Sequence, residues 1–138
     1  MSDYIKYSKS LGLKVSIISN AAKMTNSWII ANCPHIDQVG ISCDSLNDDI
    51  QKSIGRGFGN HVDITRRALT RINKFNEDFG MKVNVKLNTV VMRQNYQEDW
   101  SDFLLEHGVK RWKVFKILLI KGENDEFYNE SSITDEQF

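Results

Sequence analysis

The sequence predicts a single α/β domain built on a mainly parallel sheet, and three observations support this fold class. Stretches with strand character alternate with amphipathic helical stretches along the chain. Apolar residues make up 41% of the 138 residues, which is enough for one hydrophobic core. No linker or low-complexity tract divides the chain. Strands that alternate with helices are typical of βαβ units, in which the strands lie parallel.

The elements of the first half are short. The helical spacing of Tyr4, Tyr7 and Leu11 predicts a weak first helix, which Gly12 ends. A later short helix is predicted to be capped by Asn47, because a side-chain oxygen there can accept from the first free amides. The predicted segments after the first helix are a strand over 14–19, a helix over 24–31, a strand over 38–44, a helix over 47–54 and a glycine-rich loop over 55–59.

The second half contains the longest predicted element, a helix over 60–79. Its apolar residues recur on one face, and Gly80 is placed to end it. These residues are Ile64, Ala68, Ile72, Phe75 and Phe79. The remaining predicted segments are a strand over 82–91, a helix over 98–107, a strand over 111–120 and an acidic stretch over 121–130, which we expect to be a solvated face or a loop.

Two features predict that the domain, taken as residues 1–138, is incomplete at both ends. The stretch Thr134-Asp-Glu-Gln137 fits a capping box, which marks the start of a helix, and Phe138 is the last residue. Four parallel strands also cannot close a barrel, since a full eight-fold barrel needs about 250 residues. We therefore expect further segments of the same protein to complete the sheet.

Charge and cysteine content exclude several classes of protein. Lys and Arg total 18 and Asp and Glu total 18, so a general nucleic-acid binder is not expected. The two cysteines, Cys33 and Cys43, are not closely spaced, which argues against a disulfide framework or a zinc site. No apolar run is long enough to span a membrane, and the first residues do not resemble a signal peptide. We expect a reduced, cytoplasmic setting and no membrane segment.

Permanent cations lie on strands that ought to be apolar. Strands covered on both faces normally read as continuous apolar runs. Lys86 lies on the third strand, and Arg111 and Lys113 lie two residues apart on the fourth, so their side chains share a face. Together they form a local charge of +3, which a triphosphate would offset. The alternative is that these long side chains extend from the strand starts into solvent.

Polar residues accompany the cations on the neighbouring strands. Asn88 shares a face with the third-strand lysine, and Ser42 and Asp44 share a face of the second strand. Ser42 and Asp44 fit a ligand site and a strand-end turn equally well, and Asp44 also fits a helix cap. Cys43 is predicted to be a small buried side chain rather than a nucleophile.

Three motifs carry a resemblance to a known family. They are ISCDS over 41–45, IGRG over 54–57 and RWKVF over 111–115. With the later LLI and GEN, they make residues 14–138 resemble the viperin-like radical S-adenosylmethionine enzymes. ISCDS is close to a pattern shared by many radical S-adenosylmethionine enzymes, whereas RWKVF followed by LLI is much narrower.

The resemblance implies a fold and a reaction. The family has a partial (β/α)₆ barrel, a 4Fe–4S cluster and S-adenosylmethionine, which the cluster cleaves to a 5′-deoxyadenosyl radical. The radical takes the 4′ hydrogen of a nucleoside triphosphate, which is CTP in the animal enzymes. Loss of water then gives the 3′-deoxy-3′,4′-didehydro nucleotide used in antiviral defence.

The resemblance also implies binding residues, although it implies no catalytic side chain. The positions that match contacts of S-adenosylmethionine are Ser19, Ser42, Arg56 and Asn88. The positions that match contacts of the substrate triphosphate are Lys86, Arg111 and Lys113. Arginine suits a carboxylate such as that of the methionyl group, because it can donate two parallel hydrogen bonds.

Departures from the family pattern are as informative as the matches. The cluster-binding CxxxCxxC motif is absent, and neither Cys33 nor Cys43 can replace it. The family's glycine after Ser-Asn is Ala21 here. These departures imply a central fragment of such an enzyme, inactive alone, whose partners are the missing barrel parts. The alternatives are a non-catalytic module that binds a nucleotide or S-adenosylmethionine, a radical enzyme with another substrate, and a plain structural α/β domain.

Overall fold

A computed structural model describes residues 1–138 and contains one four-stranded sheet. The strands are β1 (Ser16–Ser19), β2 (Gln38–Ser42), β3 (Asn84–Val91) and β4 (Arg111–Lys116). They lie in the order β1-β2-β3-β4, and each neighbouring pair is parallel. The predicted α/β class with a parallel sheet is confirmed.

Six helices alternate with the strands or flank them. They are α1 (Ser2–Ser10), α2 (Asn26–Asn32), α3 (Asp48–Ser53), α4 (His61–Phe79), α5 (Ser101–Glu106) and α6 (Asp125–Ser131). A short 3-10 helix, Cys33–His35, follows α2. Asn47 caps α3 as predicted, since its side chain accepts hydrogen bonds from the amides of Asp49 and Ile50. Gly80 ends α4 with a left-handed φ of 61°.

The hydrophobic core lies between the helices and one face of the sheet. Ile41 of β2 pairs with Leu87 of β3 in the register of the sheet, and both side chains are fully buried. Leu69 and Ile72 of α4 belong to the same buried cluster. Side chains alternate between the two faces of a strand, so the residues directly before and after Ile41 and Leu87 point to the opposite face of the sheet. On that second face, no helix contributes side chains to a hydrophobic core.

The acidic stretch, for which we expect a solvated face or a loop, contains α6, and Glu126, Asn129 and Glu130 of that helix are exposed. The fourth strand ends at Lys116, four residues earlier than predicted. Asn124 turns the chain, because its side chain accepts from the amide of Ile120 at 2.7 Å and donates to the carbonyl of Leu118 at 3.0 Å. Acidic residues in the first turn of α6 favour the helix through its dipole.

Two other helices begin later than predicted, and side-chain contacts explain both shifts. Thr25 caps α2 by accepting from the amide of Trp28 at 3.2 Å, so the helix begins at Asn26. The Glu98 carboxylate accepts from the Leu46 amide at 2.9 Å and from the Ser45 hydroxyl, so Glu98 does not join α5.

The predicted capping box at Thr134 forms its reciprocal hydrogen bonds. The Thr134 amide donates to Gln137 Oε1 at 3.0 Å, and the Gln137 amide donates to Thr134 Oγ1 at 3.2 Å. No helix combines the length and the apolar character that a membrane span requires.

Candidate functional site

The open face of the sheet gathers the polar residues that the sequence singled out. Gly40 pairs with Lys86, and Lys86 pairs with Arg111; one step along the strands, Ser42 pairs with Asn88 and Asn88 with Lys113. Alternation therefore places these side chains on one surface of three adjacent strands. We define the open face by its residues, which are Ile18, Gly40, Ser42, Lys86, Asn88, Val90, Arg111, Lys113 and Phe115.

The side chain of Lys86 lies across the second strand, where Gly40 leaves room for it. A Cβ atom at Gly40 would be 2.7 Å from Lys86 Cε and 3.2 Å from Asn88 Nδ2. Any side chain at position 40 would displace the lysine. Gly40 is thus a site residue that the sequence did not reveal, because its role depends on the pairing of two distant strands.

The two cations of β4 lie at successive positions on the open face. Arg111 is exposed, whereas Lys113 is half-buried with its Nζ 5.2 Å from the centroid of the Phe115 ring. Neither these residues nor Lys86 forms an ion pair within the chain. Three positive charges without a partner therefore lie on one surface and make it locally cationic.

Asn88 is a polar group that the chain leaves incompletely bonded. It is 9% exposed, and its Oδ1 is buried without a hydrogen-bond partner. An unsatisfied buried acceptor costs about 1–3 kcal/mol, so native proteins retain few of them outside functional sites. A ligand with a hydrogen-bond donor above this residue would satisfy the acceptor. Ser42, the neighbour of Asn88 on β2, is half-buried at the same level of the sheet.

Arg56 is anchored beyond the carboxyl end of β2. Its Nε donates to Asp44 Oδ2 at 2.6 Å, and Asp44 Oδ1 accepts from the Val90 amide at 2.8 Å. Asp44 is buried, whereas the Arg56 side chain remains 35% exposed. The contact through Nε leaves the two terminal nitrogens of the guanidinium able to bind an anion. Asp44 is therefore neither a helix cap nor a free turn residue, since it holds Arg56.

The structure does not bring Ser19 together with the open face. Ser19 pairs with Ile41 of β2, whose side chain belongs to the core. Its hydroxyl accepts from the Ala21 amide at 3.0 Å, which closes a local turn. The predicted contact of Ser19 with S-adenosylmethionine stays a prediction.

The residues of this chain do not fit an iron–sulfur cluster. Cysteine thiolates are the ligands of such clusters. Burial raises the pKa of Cys33 to about 11, and burial likewise raises the pKa of Cys43 to about 11. Cys43 donates to the carbonyl of Ser45 at 3.3 Å. No group of three or more His, Cys, Asp or Glu side chains is arranged to hold a metal ion.

Fold and site together define a parallel α/β domain with three unpaired cations on one face of its sheet, and comparison with known proteins gives its family. No protein-family model matches the chain. Three curated relatives are S-adenosylmethionine-dependent nucleotide dehydratases. The one from Flammeovirga pacifica is 30% identical over 138 residues, which are 100% of this chain and 47% of the relative.

The other two relatives come from distant organisms. The protein from Thermoplasmatales archaeon (strain ISO4-H5) is 33% identical over 130 residues, which are 94% of this chain and 45% of the length of the relative. The protein from Oncorhynchus mykiss is 36% identical over 112 residues, which are 80% of this chain and 30% of the length of the relative. The chain belongs to the viperin-like family of S-adenosylmethionine-dependent nucleotide dehydratases. It spans less than half of the length of these relatives.

Proposed function

We propose that this chain supplies the ligand-binding face of a dehydratase that converts a CTP-like nucleoside triphosphate to its 3′-deoxy-3′,4′-didehydro form in antiviral defence. The observation that carries the proposal is the set of three unpaired cations on the open face, which are Lys86, Arg111 and Lys113. The names of the relatives support a nucleotide as substrate. A triphosphate carries enough negative charge to offset the local charge of +3.

In this proposal the three cations hold the phosphates from two adjacent strands. Lys86 approaches from β3 over Gly40, and Lys113 and Arg111 approach from β4. Each forms charge-assisted hydrogen bonds with phosphate oxygens, which are about twice as strong as neutral ones. Gly40 acts by leaving the path of the Lys86 side chain free.

S-adenosylmethionine is proposed to lie nearer the carboxyl ends of β2 and β3. The terminal nitrogens of Arg56 are available for its methionyl carboxylate, because Asp44 occupies only Nε. Ser42 and the unsatisfied oxygen of Asn88 offer further polar contacts at the same end of the sheet. Ser19 is proposed to approach the cofactor through the turn that follows β1.

Radical formation is proposed to depend on thiolates supplied by another part of the polypeptide. The two cysteines here are buried and protonated, so this chain binds ligands but does not start the reaction. Both outer strands of the sheet, β1 and β4, have a free edge. We propose that additional strands of the same protein pair there and extend the sheet into a partial (β/α)₆ barrel.

The test is CTP binding to the 138-residue chain by isothermal titration calorimetry. Lys113→Ala should weaken binding at least tenfold, because a charge-assisted bond contributes about 1.5–3 kcal/mol. Lys110→Ala is the matched control, since Lys110 is exposed and precedes β4. An unchanged affinity in Lys113→Ala would remove the triphosphate role from the open face.

A non-catalytic binding module is the second candidate, and the misfit between the cysteines and a cluster favours it. A finished module should be stable by itself, whereas a piece of a barrel with free edges should not. A sharp, cooperative thermal transition of the monomeric chain would favour the module. A broad transition with bound hydrophobic dye would favour the role as part of a larger enzyme.

A further inference from the structure

We propose that Phe115 is the residue that contacts the planar base of the bound nucleoside triphosphate; this inference rests on the proposed function. Phe115 lies on the open face of β4, where its register partner on β3 is Val90. Its side chain is 43% exposed, although it is large and apolar. On β3 and β4 these two residues form an apolar end of the open face, next to the polar Asn88 and Lys113.

The order of side chains along β4 gives the open face a direction. Arg111, Lys113 and Phe115 occupy successive positions on it, about 6.6 Å apart at the ordinary rise of a strand. Lys113 Nζ lies 5.2 Å from the centroid of the Phe115 ring. A ligand whose anionic group binds Lys113 therefore brings its next, uncharged part to Phe115. A nucleoside triphosphate has this polarity, with charge at one end and a flat ring at the other.

Phe115 differs from the other large aromatic residues near β4 because its ring has no aromatic partner. Trp112 points to the opposite face, donates from Nε1 to Thr89 at 3.0 Å and lies 5.7 Å from Trp100. Trp100 also packs edge-on against Phe103 at 5.9 Å. Trp100 and Phe103 belong to the core, and Trp112, although 38% exposed, is held by Trp100 and Thr89, whereas Phe115 is 43% exposed and has no aromatic neighbour. A base can stack on it, and such stacking tolerates different bases.

The experiment compares two probes that share the phosphates but not the ring. CTP and inorganic triphosphate are each titrated into the full chain and into Phe115→Leu. Removing the ring should weaken CTP binding about five- to tenfold, the low end of what base stacking contributes. Binding of inorganic triphosphate should change less than twofold. Phe115→Tyr should restore the CTP affinity, and Phe127→Leu, at a comparably exposed phenylalanine of α6, should leave both unchanged.

Four results would overturn the inference. The first is an equal loss for both probes in Phe115→Leu. The second is a wild-type chain that binds CTP no more tightly than inorganic triphosphate. The third is a loss of S-adenosylhomocysteine binding in Phe115→Leu with CTP unaffected, which would give the ring to the other ligand. The fourth is no binding of either probe to the wild type, which separately defeats the proposed function. Phe115→Met repeats the comparison should Phe115→Leu fold poorly, as judged by circular dichroism.

Discussion

At the scale of single residues, the buried carboxylate of Asp44 organises the end of the site. It accepts from Arg56 and from the Val90 amide, so it ties the loop after α3 to β3. Asp44→Asn should lower the free energy of unfolding by about 1–3 kcal/mol, because the guanidinium loses its charged partner. The control is Asp63→Asn, which removes an exposed ion pair with Arg67 and should cost about 1 kcal/mol or less. Urea unfolding of both variants makes the comparison, and equal costs would contradict the structural role of Asp44.

Ala21 is a second residue whose backbone matters more than its side chain. It is the only residue other than glycine with a positive φ, at 62°, and it is buried. A β-branched side chain is strongly disfavoured in this conformation. Ala21→Val should therefore destabilise the chain by about 2 kcal/mol or more, combining backbone strain with overpacking. Ala22→Val, at the exposed neighbour of ordinary φ, should have little effect in the same thermal melts; comparable losses in both variants would argue against strain at Ala21.

At the scale of elements, the sequence predicts best where the signal is local. Helix α4 follows from its apolar stripe and from Gly80, and α3 from its Asn47 cap. Helix α6 has no comparable stripe, and contacts with a distant turn hold it. Gln94 donates to Ser131 Oγ at 2.9 Å, and the Arg93 amide donates to the Ser131 carbonyl at 2.9 Å. Contacts between residues about 37 positions apart cannot be inferred from a periodic pattern.

The same distinction applies to the site. The shared face of Arg111 and Lys113 follows from the two-residue period of a strand. The path of the Lys86 side chain over Gly40 could not be predicted in this way, because it depends on which strands pair and in which register. The bond between Asp44 and Arg56 could not be predicted either, because it joins a strand end to a loop 12 residues later.

Helix α5 gives the chain a pH-dependent stability through His107, which follows its last turn. His107 is buried, its ring packs 4.6 Å from that of Phe103, and its Nε2 has no hydrogen-bond partner. Burial lowers its pKa below the ordinary 6.5, although Glu106 opposes the shift. The unfolded chain therefore binds a proton more readily, so the free energy of unfolding should decline as the pH falls below about 6.5.

Urea midpoints at pH 7.5 and pH 5.5 measure this dependence. His107→Gln should reduce the difference between the two midpoints, whereas His35→Gln, in the 3-10 helix, should not. A difference that persists unchanged in His107→Gln would assign the pH dependence to other groups. The carboxylate of Asp37, whose pKa the hydrogen bond from Lys9 lowers, titrates in a more acidic range and does not interfere.

At the scale of the whole molecule, the sheet is well packed on one face and has a free edge at each of its outer strands, β1 and β4. β1 has no neighbour on one side, and its Ile18 is 63% exposed. Beside it, α1, β1 and α2 border a mainly apolar cavity of about 730 Å³, whose lining includes Tyr4 and Trp28. A free strand edge next to exposed apolar surface is a template for pairing with another chain.

The isolated chain should therefore self-associate at micromolar to millimolar concentrations. Ile18→Lys should shift the association to higher concentration, because a charge at the strand edge opposes pairing. Ile30→Lys is the matched control, since Ile30 is 56% exposed but lies on α2. Sedimentation velocity across a dilution series measures the shift. An equal effect of the two substitutions would indicate general hydrophobic aggregation, and a monomer at every concentration would mean that the edge of β1 does not direct association.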